Sequence, residues 1–133
     1  MPLPRAVTTM NRDVLNKAMV HLAGHGWFVE LEHVGRRSGR VFRVPIMAFD
    51  GGDHVTVALT YGRGVDWLAN LRAAHGGRMH LRDDLLTLGT PVFLDEAEGL
   101  RRMPQPPRAM LPVLGCHEFV EIPVRARVRF SEW

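Results

Sequence analysis

The spacing of apolar residues changes period several times along the chain, and each change marks an element. From Thr9 to Leu22, residues Val14, Leu15, Ala18, Met19 and Leu22 recur three and four apart behind a Thr9/Asn11 cap, and Gly24 and Gly26 can stop the run. This predicts an amphipathic helix in an N-terminal segment, residues 1–26. The period then falls to two. Val29, Leu31 and His33 alternate with Glu30 and Glu32, as in a strand with one wet face. Val41 to Phe49 and His54 to Thr60 are two further β-rich runs, joined by Asp50-Gly51-Gly52-Asp53, which suits a tight hairpin. Pro45 lies inside the first run and cannot donate to a ladder, so it predicts an edge, a bulge or an open ladder that a ligand can approach.

Tyr61-Gly62-Arg63-Gly64 predicts a loop into a second helix, with Asp66 near its cap, Val65, Leu68, Leu71 and Arg72 on successive turns, and Gly76-Gly77 at its end. Arg78 to Arg82 and Leu85 to Leu94 predict a hairpin turned at Asp83-Asp84, and Asp95 to Met103 a short helix. Pro104 to Pro112 is proline-rich and predicts a connecting loop with one helical turn at Arg108 to Leu111. From Phe119 to Phe130, Val120, Ile122, Val124, Ala126, Val128 and Phe130 alternate with Glu121, Arg125, Arg127 and Arg129. That pattern is a long strand with a solvated basic face. Six strands without regular strand-helix alternation exclude a doubly wound sheet and predict a mainly β (α+β) fold, a small antiparallel barrel with accessory helices.

With 133 residues, the chain suits one domain over 1–133. No apolar run approaches the ~20 residues of a spanning helix, and a cytoplasmic location is the default expectation. Cys116 is the only cysteine, which excludes an internal disulfide and a cysteine cage for metal. Beside His117 it invites a nucleophile reading, against which stands the commoner buried, inert cysteine. HLAGH, with His21 and His25, lacks the glutamate of a zincin and is broken by Gly24, so no metal site is expected.

The net charge is +3, and of seventeen basic residues only Lys17 is a lysine. Arginine's planar fork suits phosphates and carboxylates. Gly35-Arg36-Arg37-Ser38-Gly39-Arg40-Val41-Phe42-Arg43 carries four arginines and no acid, with glycines that let amides turn inward. These are the parts of a phosphate cradle, although the segment taken alone reads equally as a solvated hairpin turn. Thr60 to Leu71 puts glycines before a helix N-terminus, with Trp67 and Asn70 three apart and so on one face. A nucleic-acid surface of Arg36 to Arg43 with Arg125, Arg127 and Arg129 is disfavoured by the near balance of acids and the lack of clustered aromatics.

Together GRRSGRVFRVPI, the hairpin, VALTYGRGVDWLANLRA and the proline-rich crossing resemble the deazaflavin-dependent nitroreductase family, most closely from Trp27 to Leu71. The resemblance implies a six-stranded antiparallel split β-barrel of the FMN-binding type, a homodimer, and binding of coenzyme F-420, an 8-hydroxy-5-deazaflavin. It also implies hydride transfer from the reduced coenzyme to a small organic acceptor of the quinone or nitroaromatic type. By motif, Arg36, Arg37, Ser38 and Gly39 match the family's phosphate loop, and Arg43 the basic residue after it. Pro45, Ile46 and Met47 match the strand facing the deazaflavin ring, Ala58, Thr60 and Tyr61 the neighbouring strand end, and Trp67 and Asn70 the helix start. The chain has Val65-Asp66 where the family has a proline, and Tyr61 is its only tyrosine where nitroreductase members have several. FMN in place of the deazaflavin, and a cofactor carrier without turnover, are the alternatives. No side chain is assigned as catalytic acid.

Overall fold

The computed structural model describes residues 28–105 and 107–129; the helix expected over Thr9 to Leu22, with His21 and His25, lies outside the described residues. Within them are β1 (Phe28–Val34), β2 (Val41–Asp50), β3 (His54–Ala58), α1 (Asp66–Ala74), β4 (Gly77–Leu81), β5 (Asp84–Leu88), β6 (Val92–Leu94), α2 (Glu96–Arg101), α3 (Pro107–Val113) and β7 (Phe119–Arg129). Every ladder is antiparallel, in the order β3-β2-β1-β4-β5-β7-β6. A further β3–β7 ladder closes six strands into a barrel, leaving β6 as an extra strand.

Closure rests on the length of β7. Its first half pairs with β3, from His54↔Pro123 to Ala58↔Phe119, and its second half with β5, from Asp84↔Arg129 to Leu88↔Val124. The long apolar alternation after Phe119 therefore serves two ladders. It is buried only at its start: Val120 and Ile122 lie inside, whereas Ala126 and Val128 are exposed, because nothing among the described residues covers that half of the strand. Its basic face is exposed, as the alternation suggests, and is ion-paired towards its end. Arg127 donates to Asp50, Asp84 and the carbonyl of Gly52, and Arg129 lies 3.8 Å from Asp84.

Other boundaries moved for local reasons. The β4–β5 turn falls at Arg82-Asp83, one residue early, with Arg82 in the left-handed region at φ 55°. The run Leu85 to Leu94 is broken at Gly89-Thr90-Pro91 into β5 and β6, since Pro91 has no N–H for a ladder. The proline-rich crossing holds a short helix, α3, rather than a single turn. In α2 the Asp95 side chain caps the start, accepting from the N–H of Glu98 at 2.8 Å.

The barrel interior is filled by Leu31, Ile46, Val55, Val57, Met79, Leu86, Val120 and Ile122, and α1 adds Trp67, Leu68 and Leu71 to the same cluster. Removing such a side chain, as in Leu31→Ala, costs about 2–5 kcal/mol. Met47, Ala58, Met103, Leu111, Cys116 and Phe119 form a second cluster. Successive residues Ile46 and Met47 thus feed different clusters, as the two faces of a strand require.

Candidate functional site

The turn between β1 and β2 is held from within. Gly35 N–H donates to the Arg40 carbonyl at 2.8 Å, Gly39 N–H to the Gly35 carbonyl at 2.9 Å, and Arg40 N–H to Ser38 Oγ at 3.2 Å. Gly39 has φ 72°, which a side chain disfavours. At Gly35 a Cβ would stand 2.6 Å from Ser38 Oγ. These constraints bring the exposed residues Arg36, Arg37 and Ser38 to one wall of a pocket of about 440 Å³, which Arg43, Asn70, Asp66 and His33 also line.

The arginines differ in what they have left to offer. Arg36 is tied to α1: its main-chain N–H and its Nη1 both donate to Asn70 Oδ1, at 3.1 and 2.8 Å, and its Nη2 reaches Asp66 at 3.5 Å. Arg40 lies over the Phe42 ring, 5.7 Å from its centroid. Arg43 is shared between Glu30 at 3.6 Å and Glu32 at 3.5 Å. Arg37 forms no ion pair or hydrogen bond among the described residues. Its full donor set faces solvent.

Asn70 is 4% exposed and His33 is 7% exposed. With Oδ1 taken by Arg36, the Asn70 amide nitrogen faces His33 Nδ1 at 2.9 Å. Burial holds the imidazole below its usual value, with the Asp66 carboxylate pulling the other way. The Phe42 ring stacks on it at 5.6 Å and 24°.

The second half of the site lies where two strands part. β2 pairs with β3 only over Ala48↔Val57 to Asp50↔Val55, so Val44 to Met47 have β1 on one side and no β3 partner on the other. Pro45 sits in that open stretch, at an edge, where its missing N–H leaves no donor to satisfy. The gap is a largely apolar pocket of about 300 Å³ lined by Val44, Pro45, Ile46, Met47, Ala58, Leu59, Thr60, Tyr61, Val65 and Trp67. Pro45 and Tyr61 are its exposed members, Tyr61 at 43%. A third hollow of about 380 Å³, lined by Val29, Glu30, Arg43, Val44 and Pro45, shares Arg43 with the basic pocket and Val44 and Pro45 with the apolar one. The three follow one another along β2.

The chain matches no protein-family model and no curated protein. Solved structures do match. A Listeria innocua protein, provisionally described as a pyridoxamine 5′-phosphate oxidase, aligns with TM-score 0.57 over 88% of this chain and 98% of its own at 7% identity. An FMN-binding protein from Syntrophomonas wolfei aligns with TM-score 0.57 over 93% and 90%, at 16% identity. A reductase dependent on F-420-H2 aligns with TM-score 0.53 over 72% and 93%, also at 16% identity. The chain has the fold of the FMN-binding split barrels. At these identities the likeness is one of fold, and function rests on the site.

Of the residues singled out from sequence, Arg36, Arg37, Ser38, Arg43 and Asn70 come together at the basic pocket, with Gly39 in its turn. Pro45, Ile46, Met47, Ala58, Thr60, Tyr61 and Trp67 come together at the apolar one. Sequence reasoning missed His33 and Phe42, read only as strand positions; a polar residue at a buried period-two position directly before the basic turn was the available signal. Arg63, from the glycine loop, turns away to Glu118 at 2.8 Å and to the Phe93 ring at 4.4 Å. The helix start carries no side-chain cap, with Val65 at the N-cap and Asp66 in the first turn. The Cys116 thiol is buried and pushed up to about 11 by desolvation, and His117 pairs with Glu96 at 2.8 Å instead, so the two form no nucleophile pair. Among the described residues no three His, Cys, Asp or Glu side chains gather as a metal site, and no helix is long and apolar enough to cross a membrane.

Proposed function

We propose that this chain is a single-domain oxidoreductase that binds coenzyme F-420 through its phosphate and passes hydride between the reduced coenzyme and a small organic acceptor. The observation that carries the reading is the run of hollows along β2, basic at Arg36, Arg37 and Ser38 and apolar at Pro45 to Met47 and Ala58 to Trp67. A phosphate-bearing ring compound needs those two environments, joined.

The cradle fits an anion for specific reasons. Arg37 has its donors unspent, and Asn70 holds the Arg36 guanidinium at the pocket wall. Pro45 lets an aromatic ring lie against β2 without burying an unpaired N–H. A bound deazaflavin supplies the hydride. The chain orients it: the buried side chains of Ile46, Met47, Ala58 and Trp67 exclude water from one side, while exposed Tyr61 stands at the mouth, where an acceptor enters. The proton comes from solvent. We also infer a homodimer, since the cross-strand pair Val34 and Val41 is apolar and exposed, 42% and 60%.

Titrating the protein into the deazaflavin while following ring fluorescence tests the reading; no saturable change at micromolar protein would sink it. FMN is the second cofactor reading, favoured by the same two environments. The visible spectrum of protein purified from a host that makes the deazaflavin separates the two. Tight binding without oxidation of the reduced coenzyme by quinones and nitroaromatics would mark a carrier instead.

A further inference from the structure

The hydrogen bonds behind the basic turn have a direction, which the Arg36 donors set and His33 completes. Asn70 Oδ1 accepts two bonds from Arg36, so the atom facing His33 is the amide nitrogen, which only donates. His33 Nδ1 therefore accepts and carries no proton. In the neutral ring the proton then sits on Nε2. That atom has no partner among the described residues, yet no buried side-chain nitrogen or oxygen lacks one, so Nε2 is not sealed inside the fold. The opening available to it is the pocket that His33 lines with Arg36, Arg37, Arg43 and Asp66.

We propose that His33 belongs to the anion site. Through Nδ1 it accepts from the Asn70 amide nitrogen and so supports the orientation in which Asn70 holds Arg36. Through Nε2–H it offers a neutral donor to a phosphate oxygen. The inference rests on the phosphate-binding reading for its ligand, but the Asn70 orientation belongs to the ligand-free chain.

The opposite arrangement is self-consistent and worse. With the amide reversed, its nitrogen would face the Arg36 N–H and Nη1 at 2.8 to 3.1 Å, donor against donor, and the Arg36 anchor would be lost. His33 Nδ1 would then have to carry a proton. It would do so either as the other neutral tautomer, whose Nε2 could only accept, or as an imidazolium, which burial disfavours and the Asp66 carboxylate favours, with Arg36, Arg37 and Arg43 on the same pocket opposing a further positive charge. Phe42, stacked on the ring from β2, holds it in plane without adding a charge.

Nitrogen-15 NMR of the ligand-free protein at pH 7 tests the orientation, with the resonance assigned by its loss in His33→Asn. A bare Nδ1 and a protonated Nε2 are expected; a protonated Nδ1 overturns the proposal. Affinity for the deazaflavin, measured by fluorescence, tests the consequence. His33→Phe keeps the stacked ring and removes both nitrogens, and should weaken binding about tenfold. His33→Asn keeps an acceptor where Nδ1 stood and should lose only about threefold, the share of the Nε2 donor. Arg36→Ala should cost much affinity in the wild-type and His33→Asn backgrounds and little in His33→Phe, because the anchor is already loose there. Equal affinity for all three His33 forms overturns the proposal. If the wild type binds no deazaflavin, the functional reading fails and the tautomer still decides the orientation of Asn70.

Discussion

The main-chain N–H and the guanidinium of Arg36 both donate to one atom, Oδ1 of Asn70, 34 residues further along the chain. This joins a surface turn to a helix at a buried amide. Replacing Asn70 by Ala strips the Arg36 N–H and His33 Nδ1 of their partner together. We expect a loss of about 1–3 kcal/mol in denaturant unfolding, with weakened binding of a phosphate-bearing flavin.

Arg37 is exposed and without an ion pair among the described residues, so the turn does not depend on it. Arg37→Ala should change stability by less than about 0.5 kcal/mol. Its effect should appear in ligand titration, as roughly a tenfold loss of affinity for the deazaflavin, the scale of one charge-assisted hydrogen bond. Unchanged affinity would remove Arg37 from the site.

Thr60 is half-buried on the wall of the apolar pocket and does not line the basic one. Thr60→Trp should fill that pocket and abolish binding of the flavin ring. Inorganic phosphate, followed by shifts of the Gly35 to Arg40 amide resonances, should bind the variant as it binds the wild type. Loss of both, in a variant that keeps wild-type unfolding behaviour, would contradict two separable halves.

Asp50 and Glu32 are held below their ordinary values, Asp50 by its hydrogen bond with Arg127 and Glu32 by its hydrogen bond with Arg78. A lowered folded value means the contribution is complete above the unfolded values of 3.8 and 4.5 and is lost as pH falls through the folded ones. Stability should therefore drop below pH 4.5. Arg127→Met, which also frees Asp84, should cost about 1 kcal/mol at pH 7 and progressively less at acid pH, measured by thermal unfolding across that range.

Cys116 is buried, and desolvation raises its thiol to about 11, so at pH 8 only about one in a thousand is thiolate. A thiol reagent should leave the native protein unlabelled at pH 8 and label it fully once denatured. Fast native labelling would restore a reactive cysteine to consideration.

How much of this was legible beforehand follows from the range of each interaction. The alternation in β1, the hairpin at Gly51-Gly52 and the run of α1 rest on neighbours within a few residues, and those elements stand where their pattern placed them. The basic turn was equally visible as chemistry. Boundaries failed where a backbone detail overrode the pattern, as at Pro91, which split one expected strand into two.

The sequence by itself determined most of the strands and the turn chemistry, and limited Pro45 to an edge, a bulge or an open ladder, because side-chain period, glycine freedom and proline's missing N–H are local properties. Only the tertiary structure decided that β7 serves two ladders and closes the barrel, and that His33, Arg36 and Asn70 meet. It also decided that β2 meets β3 only from Ala48 onward, leaving a slot before it, beside the basic turn. The β7 ladders and the bonds of Arg36 and His33 to Asn70 join residues 30 or more positions apart. Their geometry follows from strand register and helix docking, which no local pattern encodes.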